Sequence, residues 1–231
     1  MVSYPRSGNT WVRFLLANVL GFASGESIDF YSVQRFIPDV HIKKQWKDIE
    51  SLASPRMIKS HRHYVPQYRR VIYIVRDGRD VYVSYYEYLR KQGRIAGSFR
   101  DFLGSTEIPY GFWYEHVQSW LEPEQALDLL LVRYEDLLAD AQRELARMVA
   151  FIGLRTTSEQ LAQAVEQSSF LQMRKIEKAH GRPYGTPGHQ FVRRGTARQW
   201  PDYFDEASKE VLKARANPVL LELGYVDRPD W

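Results

Sequence analysis

The sequence predicts an α/β fold of three layers, a central parallel sheet covered by helices on both faces. Three observations point there. Four short apolar stretches read as buried strands, amphipathic segments with apolar residues three or four apart lie between and after them, and polar clusters stand where the strands end. Ligands of such sheets bind beyond the carboxyl ends of the strands, so side chains distant in sequence are expected to converge on one edge.

The strands, in order, are Met1–Tyr4, Met57–His61 (MIKSH), Val71–Val75 (VIYIV) and Leu129–Val132 (LLLV). Helical periods cover Trp11–Leu20, Asp77–Arg90, Tyr110–Leu121, Asp140–Ile152 and Glu159–Glu166, and a further helix is expected after FVRRGTARQW. Residues 91–106, rich in Gly and Ser, read as a mobile loop, and 179–189 (AHGRPYGTPGH) as another. No repeat or linker divides the chain. Its 231 residues, 44% hydrophobic and 26% charged, fit one domain over residues 1–231 with one sizeable core.

Composition removes several function classes. With no Cys, disulfide frameworks, thiolate nucleophiles and zinc ribbons are excluded, and metal chemistry would rest on six His and the carboxylates. The apolar run VRFLLANVLGFA is too short to span a bilayer, carries Arg13 and follows no signal-peptide pattern, so a soluble, cytoplasmic protein without a membrane span is expected. The net charge of +4 suits an anionic ligand or nucleic acid. Placement matters more than the sum: Arg6, Arg76, Arg79, Arg193 and Arg194 flank glycines or strand ends instead of scattering along helix faces.

Four motifs carry the chemistry. Between a strand and a helix stands YPRSGNTW (Tyr4–Trp11), a donor-rich turn at the positive end of a helix dipole, which suits phosphate or sulfate. Pro5 and Gly8 do not fit the G-x-x-x-x-G-K-[ST] frame of nucleotide-triphosphate loops. In MIKSHRHY, strand alternation points Lys59 and His61 the same way, a cation beside a base of near-neutral pKa. The competing reading of His61 and His63 as surface residues or a metal pair lacks a Cys or a nearby carboxylate. In VIYIVRDGRDVYVSYYEYLR the strand stops at Arg76 and Asp77, Asp80 and Ser84 share a helix face. Arg76 and Ser84 then grip a phosphate, or Arg76 and Asp80 form a structural ion pair. FVRRGTARQW sets Arg193 and Arg194 beside Gly195, whose backbone approaches an anion closely, with Trp200 as an anchor. This reads as a lid over a phosphate or as a solvated basic loop.

Assembled in this order, the motifs resemble the sulfotransferases that use 3′-phosphoadenosine 5′-phosphosulfate (PAPS), the cytosolic and bacterial small-molecule kind, nearly end to end. YPRSGNTW is similar to that family's 5′-phosphosulfate loop (YPKSGTTW), IKSH to its KTH, and VIYIVRDGRDVYVSYY to its 3′-phosphate strand and helix. YGFWYEHVQSW, VRYEDLLAD and FVRRGTARQW resemble further family blocks, the last the RKGxxGDW block. The resemblance implies a phosphate-loop-like fold in which Arg6, Ser7, Gly8, Asn9 and Thr10 cradle the 5′-phosphosulfate and Trp11 stacks on the adenine. Arg76, Ser84, Arg193, Arg194 and Gly195 would hold the 3′-phosphate, and Tyr134, Ser168 and Phe170 would contact the adenine. His61 matches the catalytic base and Lys59 its companion at the bridging oxygen and sulfuryl group. Transfer would be in-line to an acceptor hydroxyl, leaving adenosine 3′,5′-bisphosphate (PAP). No metal is implied, because Arg6, Lys59 and the loop supply the charge that Mg²⁺ gives kinases.

Three departures from the family pattern stand out. Arg6 replaces the usual loop Lys, and a guanidinium binds an oxyanion bidentately but does not readily donate a proton. The first strand reads as clipped. PDYFDEASKE does not match the family's KxxxTVxxxE dimer motif, so no oligomeric state is assigned. Acceptor-pocket candidates are Tyr64, Phe99, Phe102, Tyr110, Phe112, Trp113 and Tyr114, whose rings favour an apolar or phenolic small molecule. Two other classes compete. A small-metabolite kinase would need a Walker Lys and a Mg²⁺ carboxylate in frame, and a nucleic-acid module would need a long basic face, whereas the Arg residues here cluster at turns.

Overall fold

Alternation along one strand sets the layers. In β2 (Arg70–Val75), Val71, Tyr73 and Val75 enter one core and Ile72 and Ile74 the other. β1 (Val2–Ser3) pairs parallel with one edge of β2, Val2 opposite Tyr73, and β3 (Asp128–Arg133) pairs parallel with the other from Arg70–Asp128 to Val75–Arg133. The computed structural model describes residues 1–22, 25–42, 49, 56–122, 127–183, 192 and 195–231.

The helices among them are α1 (Asn9–Gly21), α2 (Val33–Phe36), α3 (Gly78–Lys91), α4 (Phe99–Gly104), α5 (Trp113–Leu121), α6 (Tyr134–Ala139), α7 (Ala141–Phe151), α8 (Ser158–Gln167), α9 (Phe170–His180) and α10 (Glu206–Glu222), with a 3₁₀ turn at Trp200–Asp202. Side chains of α3, α4, α5 and α10 pack on the Tyr73 face, where Trp113 and Trp120 are fully buried. On the Ile72 face lie α1, α6, α7 and α8. α1 is roofed again by Phe30, Val33 and Met173, which pack on Phe14 and Ala17. Covered on every side, it must satisfy its polar residues internally. Arg13 donates to Gln34 Oε1 and the Ile37 carbonyl, and Asn18 donates to the Ser168 hydroxyl. No described helix is long and apolar enough to cross a membrane.

The expected three-layer α/β arrangement is present, and the five expected helices appear with ends shifted by a few residues. Two expectations need correction. Met57–His61 is not a strand of the sheet: Ser60 alone bridges to Val2, while Lys59 bridges to Asp39 on the other side. Its backbone is shared between two neighbours, since Ser60 N–H donates to the Met1 carbonyl and Lys59 N–H to the Pro38 carbonyl, so no ladder longer than one pair develops. Within 91–106, read as a mobile loop, α4 is held by a capping box. The Ser98 hydroxyl accepts from Asp101 N–H and the Asp101 carboxylate from Ser98 N–H, while Phe99, Phe102 and Leu103 enter the core.

The turn from β2 into α3 lies flat against α5. A Cβ on Gly78 would stand 2.6 Å from Cε3 of the fully buried Trp113. Gly78→Ala is therefore expected to lower stability by about 1–3 kcal/mol, read as a reduced urea midpoint at unchanged slope; an unaltered midpoint would show that Trp113 yields freely.

Candidate active site

A cleft of about 720 Å³ opens past the carboxyl ends of all three strands. β1 delivers the loop 4–8, β2 delivers Arg76, and β3 delivers Tyr134, the first residue of α6. These three meet at one pole. Arg6 takes a left-handed conformation (φ 70°) and Gly8 another (φ 99°). The left-handed turn suits glycine at position 8 and has no room for more, because a Cβ there would come within 2.6 Å of the Tyr134 ring. The Tyr134 ring also lies under the Arg76 guanidinium, 4.5 Å from its centroid, and edge-on to Trp11 at 6.0 Å. Arg6 Nε donates to the Ser84 hydroxyl (3.2 Å) and Arg76 Nη1 to the Arg6 carbonyl (3.4 Å).

This pole has donors and polar atoms to spare. Asn9 gives its Nδ2 to the Ser3 hydroxyl, while Asn9 Oδ1, Arg76 Nε and Ser7 Oγ are buried without a partner. The chain from 195 to 200 closes over it, tied down by Asp80. That carboxylate accepts from the backbone N–H groups of Arg198 (2.7 Å), Gln199 (2.8 Å) and Trp200 (3.0 Å), and from Arg76 Nη2 (3.1 Å). Arg76 Nη2 also reaches the Thr196 carbonyl at 3.0 Å. Arg76 is ion-paired to Asp80, as the structural reading of its motif expected, and it also lines the cleft.

His61 lines the same cleft, next to Ser3. Its Nδ1 lies 2.6 Å from the Ser3 carbonyl, which can only accept, so Nδ1 carries the proton and Nε2 keeps its lone pair. Burial, reinforced by the charge of Lys59, holds its pKa well below the ordinary histidine value. The ring is thus a neutral base of fixed tautomer. Its backbone is clamped as well. His61 N–H donates to His41 Nε2 (2.8 Å), the His61 carbonyl accepts from His116 Nε2 (3.2 Å), and the next carbonyl, of Arg62, accepts from Trp120 Nε1 (3.0 Å).

Tyr110 is held against His61, ring centroids 5.5 Å apart, in a left-handed conformation (φ 71°) that a bulky side chain rarely adopts. The turn is pinned at each residue. The Pro109 carbonyl accepts from the Tyr85 hydroxyl, that of Tyr110 bonds His63 Nε2, and that of Gly111 accepts from the Tyr4 hydroxyl.

Comparison with known proteins bears directly on this cleft. The family profile described as the sulfotransferase domain matches residues 1–223. The chain belongs to the sulfotransferase family. It is 29% identical over 234 residues to sulfotransferase 1A1 of Bos taurus, covering 92% of this chain and 79% of that one. It is 27% identical over 235 residues to sulfotransferase 1E1 of Homo sapiens, covering 91% and 79%. Among solved structures, mouse sulfotransferase SULT7A1 complexed with PAP superposes with a TM-score of 0.74 at 20% identity, covering 100% of this chain and 87% of that one. Retinol dehydratase in complex with androsterone and inactive cofactor PAP gives 0.69 at 23% identity, covering 95% and 79%.

In this sulfotransferase, Arg6, Gly8, Asn9, Thr10, Trp11, His61, Arg76, Ser84, Tyr134, Phe170 and Gly195 all line the one cleft. Gly195 is left-handed (φ 62°) and presses on Phe170, where a Cβ would approach to 2.7 Å. Three expected residues do not line it. Ser7 is buried beneath the loop, Ser168 lies behind α1 on Asn18, and Lys59 gives its ammonium to Asp39 Oδ2 at 2.7 Å. Burial lowers the Lys59 pKa to about 8 against the opposing pull of Asp39. Arg193 and Arg194 lie outside the described residues. Of the aromatic acceptor candidates only Tyr110 reaches the cleft. Phe99, Phe102 and Trp113 are core, Phe112 and Tyr114 stack on each other, and Tyr64 packs on Trp120. The sequence reading missed Tyr85, Tyr88 and Arg94, although Ser84 and Tyr88, four apart on α3, mark the helix face that turns to the cleft.

His116 behind the base is fully buried, its Nδ1 paired with the Tyr73 hydroxyl at 2.9 Å, and burial and the nearby His63 push its pKa down to about 3. A histidine with a lowered native pKa contributes stability that is complete above the unfolded value of 6.5 and is lost as pH falls toward 3. We expect the urea midpoint of this sulfotransferase to drop between about pH 6.5 and 5, above the range of ordinary carboxylates. His116→Gln should flatten that drop; parallel pH profiles for the two proteins would take His116 out of the explanation.

Proposed function

We propose that this cleft transfers a sulfuryl group from PAPS to the hydroxyl of a small-molecule acceptor, in-line, with His61 as the general base. One observation carries the reading: the neutral His61 ring, its Nδ1 proton fixed on Ser3 and its lone pair left on Nε2, lines one cleft together with Arg6 and Arg76. This part of the cleft fits a nucleotide with two separate anionic groups. Its lining charges are guanidinium groups, Asn9 and Arg76 hold unpartnered polar atoms, and the Cβ-free edges of Gly8 and Gly195 leave room for close approach. PAP in the solved relatives supports the same donor here.

PAPS supplies the sulfuryl group on a phosphosulfate anhydride, whose sulfur–oxygen bond to phosphate breaks as the bond to the acceptor oxygen forms. The chain's part is electrostatic and positional. Arg6 and the N-terminus of α1 bind the 5′ end, where negative charge builds on the departing phosphate. Arg76, Ser84 and the strap at Gly195, with Arg193 and Arg194 as family resemblance implies, take the 3′-phosphate. Trp11, Tyr134 and Phe170 offer ring faces to the base. His61 Nε2 takes the acceptor proton, a step typically worth about 10² to 10⁴ in rate. Lys59 acts on His61 through its charge, and reaches the transferring group only by exchanging Asp39 for it.

Thermal denaturation with PAP, ATP and AMP tests the donor. PAP should raise the midpoint selectively, and a preference for ATP with Mg²⁺ would overturn the assignment in favour of a kinase. His61→Ala should abolish turnover with PAP affinity retained, whereas normal turnover would dismiss His61 as the base. Arg76→Ala should weaken PAP binding at least tenfold, the scale of a lost charge-assisted contact of about 1.5–3 kcal/mol; unchanged affinity would remove Arg76 from the donor site.

A further inference from the structure

Among the described residues lining the cleft, the charged side chains are Arg6, Arg76 and Arg94, and no Asp or Glu stands with them. Arg6 and Arg76 belong to the pole that faces the nucleotide. Arg94 comes from the turn after α3, whose N–H closes on the Leu89 carbonyl, and it lines the cleft with Tyr85, Pro109 and Tyr110. Its guanidinium is exposed and enters no salt bridge among the described residues, unlike Arg90 and Arg100 to either side, which pair with Glu87 and Asp205. Its charge is felt at the phenol of Tyr85, together with that of Arg6, and at Tyr110, where burial and Asp39 push the other way.

A purely apolar acceptor gains nothing from a guanidinium set at the end of a tyrosine-lined floor. An acceptor whose own negative charge ends there gains a charge-assisted, bidentate partner, and no carboxylate lines the cleft against it among the described residues. We propose that the acceptor is a hydroxylated aromatic acid: its ring packs against Tyr85, Tyr88 and Tyr110, its hydroxyl meets His61 Nε2, and its acid group pairs with Arg94. This rests on the reading of the cleft as a sulfotransferase site and narrows the acceptor from any small hydroxyl compound to an anionic one.

The test is calorimetric titration of the PAP-saturated protein with 4-hydroxyphenylacetate and with its neutral near-isostere 4-hydroxyphenylacetamide. The carboxylate should bind about tenfold more tightly at low ionic strength, as one charge-assisted hydrogen bond provides, and the ratio should shrink with added salt. Arg94→Gln should bring the ratio to about one, and Arg94→Lys should keep part of it, because a point charge attracts the acid without the planar fork. Equal or undetectable binding of both compounds, or a ratio that Arg94→Gln leaves intact, would overturn the acid assignment alone. Failure of PAP itself to bind in the preceding titration would instead bring down the proposed function, and this inference with it.

Discussion

Asp80 exposes 1% of its surface, and an ionised carboxylate in that position is tolerated only if every oxygen is met by donors. Four are supplied, one from Arg76 and three from consecutive backbone N–H groups at 198–200, which converge because Arg198 turns left-handed (φ 59°) and folds the strap into a small anion nest. The arrangement fixes the strap relative to β2, since Asp80 sits in the first turn of α3 and Arg76 ends the strand. From Arg76 the network runs on to the Thr196 and Arg6 carbonyls and to the Tyr134 ring. Segments far apart in the chain thus acquire one geometry from one buried charge.

The layers were legible because β2 is buried on both faces and its neighbours follow strict local periods, so burial and sequence pattern carry the same information. The meeting of Arg6, Gly8, Arg76 and Gly195 in one cleft was legible for a related reason: glycines, an arginine after a strand and a donor-rich turn are residue types that their positions demand. Lys59 shows where this stops. Alternation put Lys59 on the side of His61, but the partner that captures the ammonium, Asp39, comes from another loop and leaves no mark near MIKSH. Ser168 was likewise drawn to Asn18, 150 residues away in the chain, by burial that no local pattern records. At 91–106 the Gly and Ser content outweighed the capping box in SFRD, which was the better signal.

The proposed base, His61, depends on a helix whose sequence carries no catalytic signature. α5 holds the His61 segment by giving His116 Nε2 and Trp120 Nε1 to the carbonyls of His61 and Arg62, and its Ser119 hydroxyl accepts Tyr64 N–H. Backbone carbonyls are the same in every residue, so such anchoring is visible from the α5 side only as two large buried side chains that carry ring nitrogens. Of YGFWYEHVQSW only Tyr110 lines the cleft, and the block serves the site by holding the His61 segment from behind.

Tyr134 joins the ends of β1, β2 and β3 through one aromatic plate, with Gly8 above it, Arg76 stacked across it and Trp11 at its edge. The conformational entropy of this half is surrendered once, during folding, and little is left to lose when an anion arrives. Under the proposed function, discrimination there is that of a rigid die, which refuses a misfitting nucleotide through overlap and unmet donors. The proposed acceptor side is lined by separate tyrosines, so on that reading acceptor preference can drift over evolutionary time without loosening the grip on the donor.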